Sequence, residues 1–532
     1  MDSFDYIIVG GGSAGSVLAN RLSEDPSNSV LLLEAGGEDR SPLIKVPAAL
    51  IKLIGNPAYD WGFQVEPDPS RSGRQDYWPA GKVLGGSSSI NGMLYVRGAA
   101  RDFDGWRDQG NEGWGFDECE PYFRKLERCT FPTGQERGAM GPQAISHLRT
   151  RHPLAYPFVD AAQASGLPHN KDYNAASQEG VSAPQLTQLK GARFSAADAY
   201  LKPARRRSNL EIRTKAQVTR IEWEGPRASG VRYEHRGKAH TAHAKGEVIL
   251  AAGALQSPKL LMLSGIGPAD DLKSHGIEVT LDNPHVGANL LEHPNAQLGF
   301  CVDQRTFNQE INSARVAWHA LRWLTARRGP ATSPYPHAVG FYRSTPDKPF
   351  PDIQLLFGPF GFELTPDGVA PSLKPMVTLV LGLSYARSSG RLTLTSGDWR
   401  DKPRIALEML SDARDVADLI AACRTARAMM EHEPMAGHIK GEMTPGDEVQ
   451  SDADWEAYLR RTVDPTYHPV STCRMAPSIA KGVVAPNLKV HGVESLRVVD
   501  ASVFPDHISG NTNGAVLMVA EKASDMILSN KG

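Results

Sequence analysis

The apolar positions change their period soon after the start of the chain. Phe4, Tyr6, Ile7, Ile8 and Val9 make a short run that reads as a buried strand. Glycines break it over residues 10–15, and Val17, Leu18 and Leu22 then follow a helical pattern. Val30, Leu31, Leu32 and Leu33 form a second buried run, which ends at Glu34. Strand, glycine loop, helix and strand in this order predict a βαβ unit in a parallel sheet. Two later runs, residues 247–253 and 496–500, read as core strands of the same sheet. The texture changes between residues 300 and 460, where β-like runs at 377–381 and 390–395 alternate with loops beside an amphipathic helix over 413–431. The expected fold class is α/β (α+β overall). It comprises a discontinuous Rossmann-like domain over 1–155, 190–300 and 460–532, and an inserted domain over 156–189 and 301–459.

Composition narrows the class. The 532 residues are 41% hydrophobic and 22% charged, which excludes a disordered chain, a collagen and a coiled coil. Lys+Arg (58) and Asp+Glu (60) nearly cancel, so nothing points to nucleic acid. The run Arg205, Arg206, Arg207 reads as a solvated face. Five cysteines without a CxxC pair suggest neither a disulfide framework nor a metal site, as in a reducing compartment. No run approaches ~18 apolar residues, and the first run lacks a basic flank. A cytoplasmic protein without a transmembrane segment is expected, with peripheral membrane association left open.

The first loop carries chemistry. Gly10, Gly12 and Gly15 spell GxGxxG between a strand and a helix. Gly10 permits the tight turn, Gly12 lets the backbone approach a pyrophosphate, and Gly15 lets the helix lie close on the strand. The helix start at Ser13 and Ala14 offers free N–H groups to phosphate. Glu34, followed by Ala35, is placed to accept ribose hydroxyls, which disfavours NADP and leaves FAD or NAD.

Longer signatures resemble one family. Gly81 to Met93 (GKVLGGSSSINGM) resembles the first signature of the glucose–methanol–choline (GMC) flavoprotein oxidoreductases, and residues 253–267 resemble the second. Tyr467-His468-Pro469-Val470-Ser471-Thr472-Cys473-Arg474-Met475 is similar to the family's catalytic histidine segment. Residues 498–502 and 509–513 are similar to its C-terminal segments. The likeness runs in the family's order from residue 4 to residue 528, nearest to the choline-dehydrogenase-like and primary-alcohol dehydrogenase branch. It implies an FAD-binding domain and an inserted substrate-binding domain on an antiparallel sheet flanked by helices. It also implies oxidation of an alcohol.

The resemblance sets the candidate residues. His468 is the expected base and Asn511 its hydrogen-bonding partner, with a loop Asn beside Gly510 as the plainer reading of Asn511. FAD contacts are expected from Gly10, Gly12, Ser13, Ala14, Gly15, Glu34, Ala35, Val83, Gly85, Gly86, Ser87, Asn91, Gly92, Met93, Leu94, Val218, Asp500, Ala501 and Thr512. Residues 253–267 read mainly as structural, with Pro258 near a helix start. His507 reads as a loop surface residue and Cys473 as packing. Ser471 and Ala476 replace glycines usual in relatives, so a positive φ at either would be strained. Ile90 stands where some choline oxidases place the histidine that bonds FAD, so the flavin is expected to be noncovalent.

On the substrate side, His337 takes the place of a carboxylate that holds trimethylammonium in choline-oxidising relatives, which argues against choline. Tyr467, Phe357 and Phe360 could line a pocket for an aryl or alkyl alcohol, or the phenylalanines could be core. The partners expected are therefore a small alcohol and an electron acceptor, either oxygen or a quinone or other carrier. The competing readings are a hydroxynitrile lyase that retains FAD without net redox, an NAD-dependent dehydrogenase, and a nucleotide-binding regulatory module.

Overall fold

The computed structural model describes residues 2–365 and 368–529. The first run forms strand Asp2–Val9, followed by helix Ser13–Leu22 and strand Val30–Glu34. Asp2–Val9 is central in a seven-stranded sheet. Val30–Glu34 lies parallel on one side with Leu31 opposite Ile7, and Leu210–Thr214 lies parallel beyond it. On the other side Lys238–Leu250 is parallel, with Val248 opposite Ile7. The outer edge of that long strand is divided. Its first half pairs antiparallel with Arg227–His235, and its last three residues pair parallel with Leu496–Val498. Pieces from the start, middle and end of the chain thus share one sheet. Its central strands are buried on both faces, which is why they read as continuous apolar runs. Burial of each such Leu, Ile or Val contributes roughly 1.5–3 kcal/mol.

The second sheet is antiparallel. Its order is Ile439–Thr444, Pro294–Val302, Met376–Leu383, Ile353–Gly358, Ala338–Tyr342, Gly180–Ser182, with Asp464–Pro465 also paired to Pro294–Val302. Pro294–Val302 runs through residue 300, where a boundary was expected, so the chain enters this sheet slightly earlier. The expected helix is Ala413–Met430, and it packs on the sheet beside helix Ala155–Ala164. The expected strand at 390–395 shortens to Arg391–Thr393, which joins Arg404–Ala406 in a separate ribbon.

The period of two along Ile353–Gly358 decides what faces the site. Phe357 points toward the helices and stacks on Phe158, with ring centroids 4.3 Å apart. Gln354 and Leu356 occupy the opposite face, where Gln354 bonds Asn511 and Leu356 lines a cavity.

Candidate active site

A cavity of about 470 Å³ lies between the two sheets, beyond the ends of the parallel strands at Val9, Leu33 and Ala251. Ligands of open parallel sheets bind in that position. Gly10 turns there with φ +102°, and a Cβ on it would lie 2.5 Å from the Ala251 carbonyl oxygen. Helix Ser13–Leu22 starts at Gly12 without a side-chain cap, so its first N–H groups stay free for an anion. A second loop meets the first. Gly86 has φ +53°, and a Cβ on it would lie 2.7 Å from Gly12 Cα. Glu34 holds the far wall, accepting 2.7 Å hydrogen bonds from Gly11 N–H and Gly36 N–H. Burial raises its pKa to about 7 against the lowering effect of those two donors.

These residues fit FAD. Two glycine loops meet at the cavity so closely that a Cβ on Gly86 would strike Gly12, the open Gly12 backbone and a helix start face the space, and the Glu34 carboxylate lines it. Asp500 organises the neighbouring wall. Its carboxylate accepts from Ser257 Oγ (2.6 Å), Gly253 N–H (2.8 Å), Ser502 Oγ (2.6 Å) and Ser502 N–H (2.9 Å). Helix Gln256–Leu263 begins on that anchor, with Pro258 in its first turn.

At the other end Asn91, Gly92, Met93 and Leu94 line the cavity. Asn91 Oδ1 accepts from Met93 N–H (3.0 Å) and Arg193 Nη1 (2.8 Å), which steadies the left-handed Met93 at φ 63°. His468 and Asn511 meet beside them. Asn511 Nδ2 lies 3.0 Å from His468 Nε2, and Asn511 Oδ1 accepts from Gln354 Nε2 at 3.0 Å. In this orientation the Asn511 amide presents its nitrogen to His468. An amide nitrogen only donates, so His468 Nε2 is the bare, accepting nitrogen. The ring proton is left on Nδ1, 3.2 Å from His293 Nδ1. Burial, then the neighbouring His293, hold the His468 pKa well below 6.5. The ring is neutral at physiological pH.

A buried acid holds this arrangement from behind. Glu292 accepts from the backbone N–H groups of His293 (2.8 Å), Thr466 (3.2 Å) and His468 (2.8 Å). It thereby ties the end of one segment to the start of another. Burial raises its pKa to about 8 despite those donors. His507 stacks on His293 with centroids 4.8 Å apart.

Most of the expected residues line the cavity: Gly10, Gly12, Ser13, Ala14, Glu34, Ala35, Gly86, Ser87, Asn91, Gly92, Met93, Leu94, Val218, Tyr467, His468, Asp500, Ala501, Asn511 and Thr512. Gly15, Val83 and Gly85 lie behind its wall. A Cβ on Gly15 would overlap the Gly10 carbonyl oxygen, so that glycine serves helix-on-strand packing.

Three pocket candidates lie elsewhere. Phe357 is core for the period-two reason above. Phe360 follows the end of its strand, away from the cavity wall. The His337 ring accepts from His152 N–H at 2.9 Å, while its neighbours Tyr335 and Pro336 reach the cavity instead. His507 is 3% exposed, so the surface reading is wrong: its loop tucks under His293. Ser471 has φ 72°, the strained conformation anticipated there, whereas Ala476 is not among the positive-φ residues. Sequence reading missed Glu292, His293 and Gln354, and also the cavity-lining Trp61, Phe63 and Trp78. No local spacing links residue 292 to residue 468; only the meeting of two segments does.

A bipartite α/β flavin-binding fold with a histidine–asparagine pair at the end of the cofactor cavity is the class these observations define. Two family models, both described as GMC oxidoreductase, match residues 4–295 and 386–520. The chain belongs to the GMC oxidoreductases, FAD-dependent enzymes that act on CH–OH donors. It is 41% identical to mitochondrial choline dehydrogenase of Homo sapiens, across 99% of this chain and 90% of that protein. It is also 41% identical to an oxygen-dependent choline dehydrogenase of Brucella anthropi, across 98% and 95%. Among solved structures it resembles pyridoxine 4-oxidase from Mesorbium loti, with TM-score 0.89 and 33% identity over 98% of both chains. Among the described residues, no helix is long and apolar enough to cross a membrane.

Proposed function

We propose that this chain oxidises a primary alcohol with an aryl or alkyl body to its aldehyde, holding FAD noncovalently. The observation that carries this reading is the His468–Asn511 pair, whose bare imidazole nitrogen faces the cavity at the flavin end. FAD, when bound, supplies the hydride acceptor. His468 Nε2 takes the hydroxyl proton once the substrate oxygen enters between it and Asn511 and replaces the Asn511 N–H on its lone pair, while His293 holds the other side of the ring. Asn511 Nδ2–H donates to the substrate oxygen as charge develops on it. Ile90 lines the cavity and offers no nucleophile, which supports noncovalent attachment. The parallel-sheet part would hold the cofactor and the antiparallel sheet would shape the substrate end, with oxygen or a quinone-type carrier as electron acceptor.

The substrate end is apolar and aromatic: Trp78, Tyr335, Leu356 and Tyr467. The carboxylates lining the cavity are Glu34 and Asp500, both engaged at the nucleotide end. Among the described residues no carboxylate lines the cavity beside His468, and Glu292 behind it is taken up by the backbone N–H groups of His293, Thr466 and His468. A second reading, choline itself, draws on the two relatives named for choline and on the same rings, whose faces attract cations. Product analysis separates the two. The proposal expects aldehyde from benzyl and medium-chain primary alcohols at kcat/KM well above that for choline; choline as the best substrate would favour the second reading.

A further inference from the structure

Helix Ser313–Ala326 (SARVAWHALRWLTA) wears its amphipathicity inside out. Trp323, donating from Nε1 to the Gly191 carbonyl at 2.8 Å, anchors its inner side. Ala314, Ala317, Trp318, Leu321, Leu324 and Thr325 recur at spacings of three and four and share the opposite, outward arc. On that arc Trp318 is 57% exposed, Leu321 50% and Leu324 66%. A solvent-facing helix normally presents polar residues there. The charges of the segment are all positive. Residues 311–330 contain Arg315, Arg322, Arg327 and Arg328 and no Asp or Glu. Arg315 pairs with Glu310, and Arg327 lies over the Trp323 ring at 3.6 Å. Among the described residues, Arg322 and Arg328 have no carboxylate within ion-pair distance.

The patch continues toward the cavity. The helix packs on the turn Pro330–Thr332, and that turn packs on Pro47–Lys52. Ile51 there is 59% exposed beside the exposed Lys52, while Leu50 and Ile54 line the cavity.

We infer that this helix docks on an anionic lipid bilayer, with Trp318, Leu321 and Leu324 entering the headgroup boundary and Arg322 and Arg328 meeting lipid phosphates. The chemistry is that of an interfacial helix: an apolar arc, an aromatic at its edge, and flanking arginines. A second copy of the chain fits less well, because a two-fold contact across this arc would bring two sets of unpaired arginines together. Docking here would also bring the Leu50–Ile54 side of the cavity close to the bilayer, where an apolar alcohol or a lipid-soluble carrier would be met.

The test is co-sedimentation of the full FAD-loaded chain with sucrose-filled vesicles. The inference expects binding to vesicles of phosphatidylcholine with phosphatidylglycerol, weak binding to phosphatidylcholine alone, and loss of binding as salt is raised. Arg328→Gln should weaken binding about fivefold, the effect of roughly one surface cation. Trp318→Ser/Leu321→Ser should abolish it. Both variants should keep the flavin spectrum and turnover with a soluble dye acceptor, which excludes misfolding. Failure of the wild type to bind anionic vesicles at low salt would overturn the inference. So would a dimer in solution that Leu321→Asp converts to a monomer, since the arc would then be covered by a second copy.

Discussion

The His468 imidazole is held at both nitrogens, and this determines its pH behaviour. Its pKa lies well below the ordinary 6.5 because burial and His293 both oppose the charged form. A lowered folded-state value leaves the ring neutral from acid pH upward. The acid limb of the kcat/KM profile, which reports the free enzyme, should therefore fall below pH 6.5. A limb at or above 6.5 would refute the tautomer and burial argument. His468→Ala should lower the rate of flavin reduction by about 10²–10⁴ without releasing FAD, as expected for loss of a general base. Gln354→Leu should move the same rate in the same direction but less, because Asn511 would remain and lose only its hydrogen bond to Gln354; stopped-flow absorbance reads both. His468 and Asn511 were legible from their motif. Glu292, His293 and Gln354 were not, since each acts through a contact between segments distant in the chain.

Strands and loops store the conditions that the site needs. Glu292 titrates near ~4.3 when unfolded and at about 8 in the fold. A raised folded-state value means that the unfolded chain releases this proton first. Its contribution to stability is thus complete below pH ~4.3 and is lost as pH rises toward about 8. Glu292→Gln should lack that part of the slope, so its stability relative to wild type should improve between acid and mildly alkaline pH in urea titrations; a constant difference would count against it. The loop after His468 holds Ser471 at φ 72°. Ser471→Gly should relieve roughly 1 kcal/mol of left-handed strain, seen as a higher urea midpoint. The parallel strands were readable because burial on both faces leaves unbroken apolar runs. The pocket side of Ile353–Gly358 is not legible, because a strand buried on both faces hides which side meets the ligand, and the sequence leaves Phe357 open between pocket and core.

For the whole molecule, discontinuity is the organising fact. Segments from the start, middle and end of the chain build one sheet, and the cavity exists only where that sheet meets the antiparallel one. Gly15 shows how local geometry governs cofactor retention at that junction. Gly15→Val should push helix Ser13–Leu22 off its strand, since even a Cβ would overlap the Gly10 carbonyl, and the protein should purify without its yellow colour. The order of the glycine loop, the Gly81–Met93 signature and the histidine segment made the cofactor side legible; the substrate side depends on side chains from separate elements and had no linear signature. The most direct measurement of the central claim is the visible spectrum of the FAD-loaded protein during anaerobic addition of benzyl, furfuryl, aliphatic and polyol alcohols and choline. Bleaching of the flavin band by an aryl or alkyl primary alcohol, slowed by about 10²–10⁴ in His468→Ala, is the predicted result. A bound flavin that no alcohol bleaches, or one bleached equally fast in His468→Ala, would contradict it.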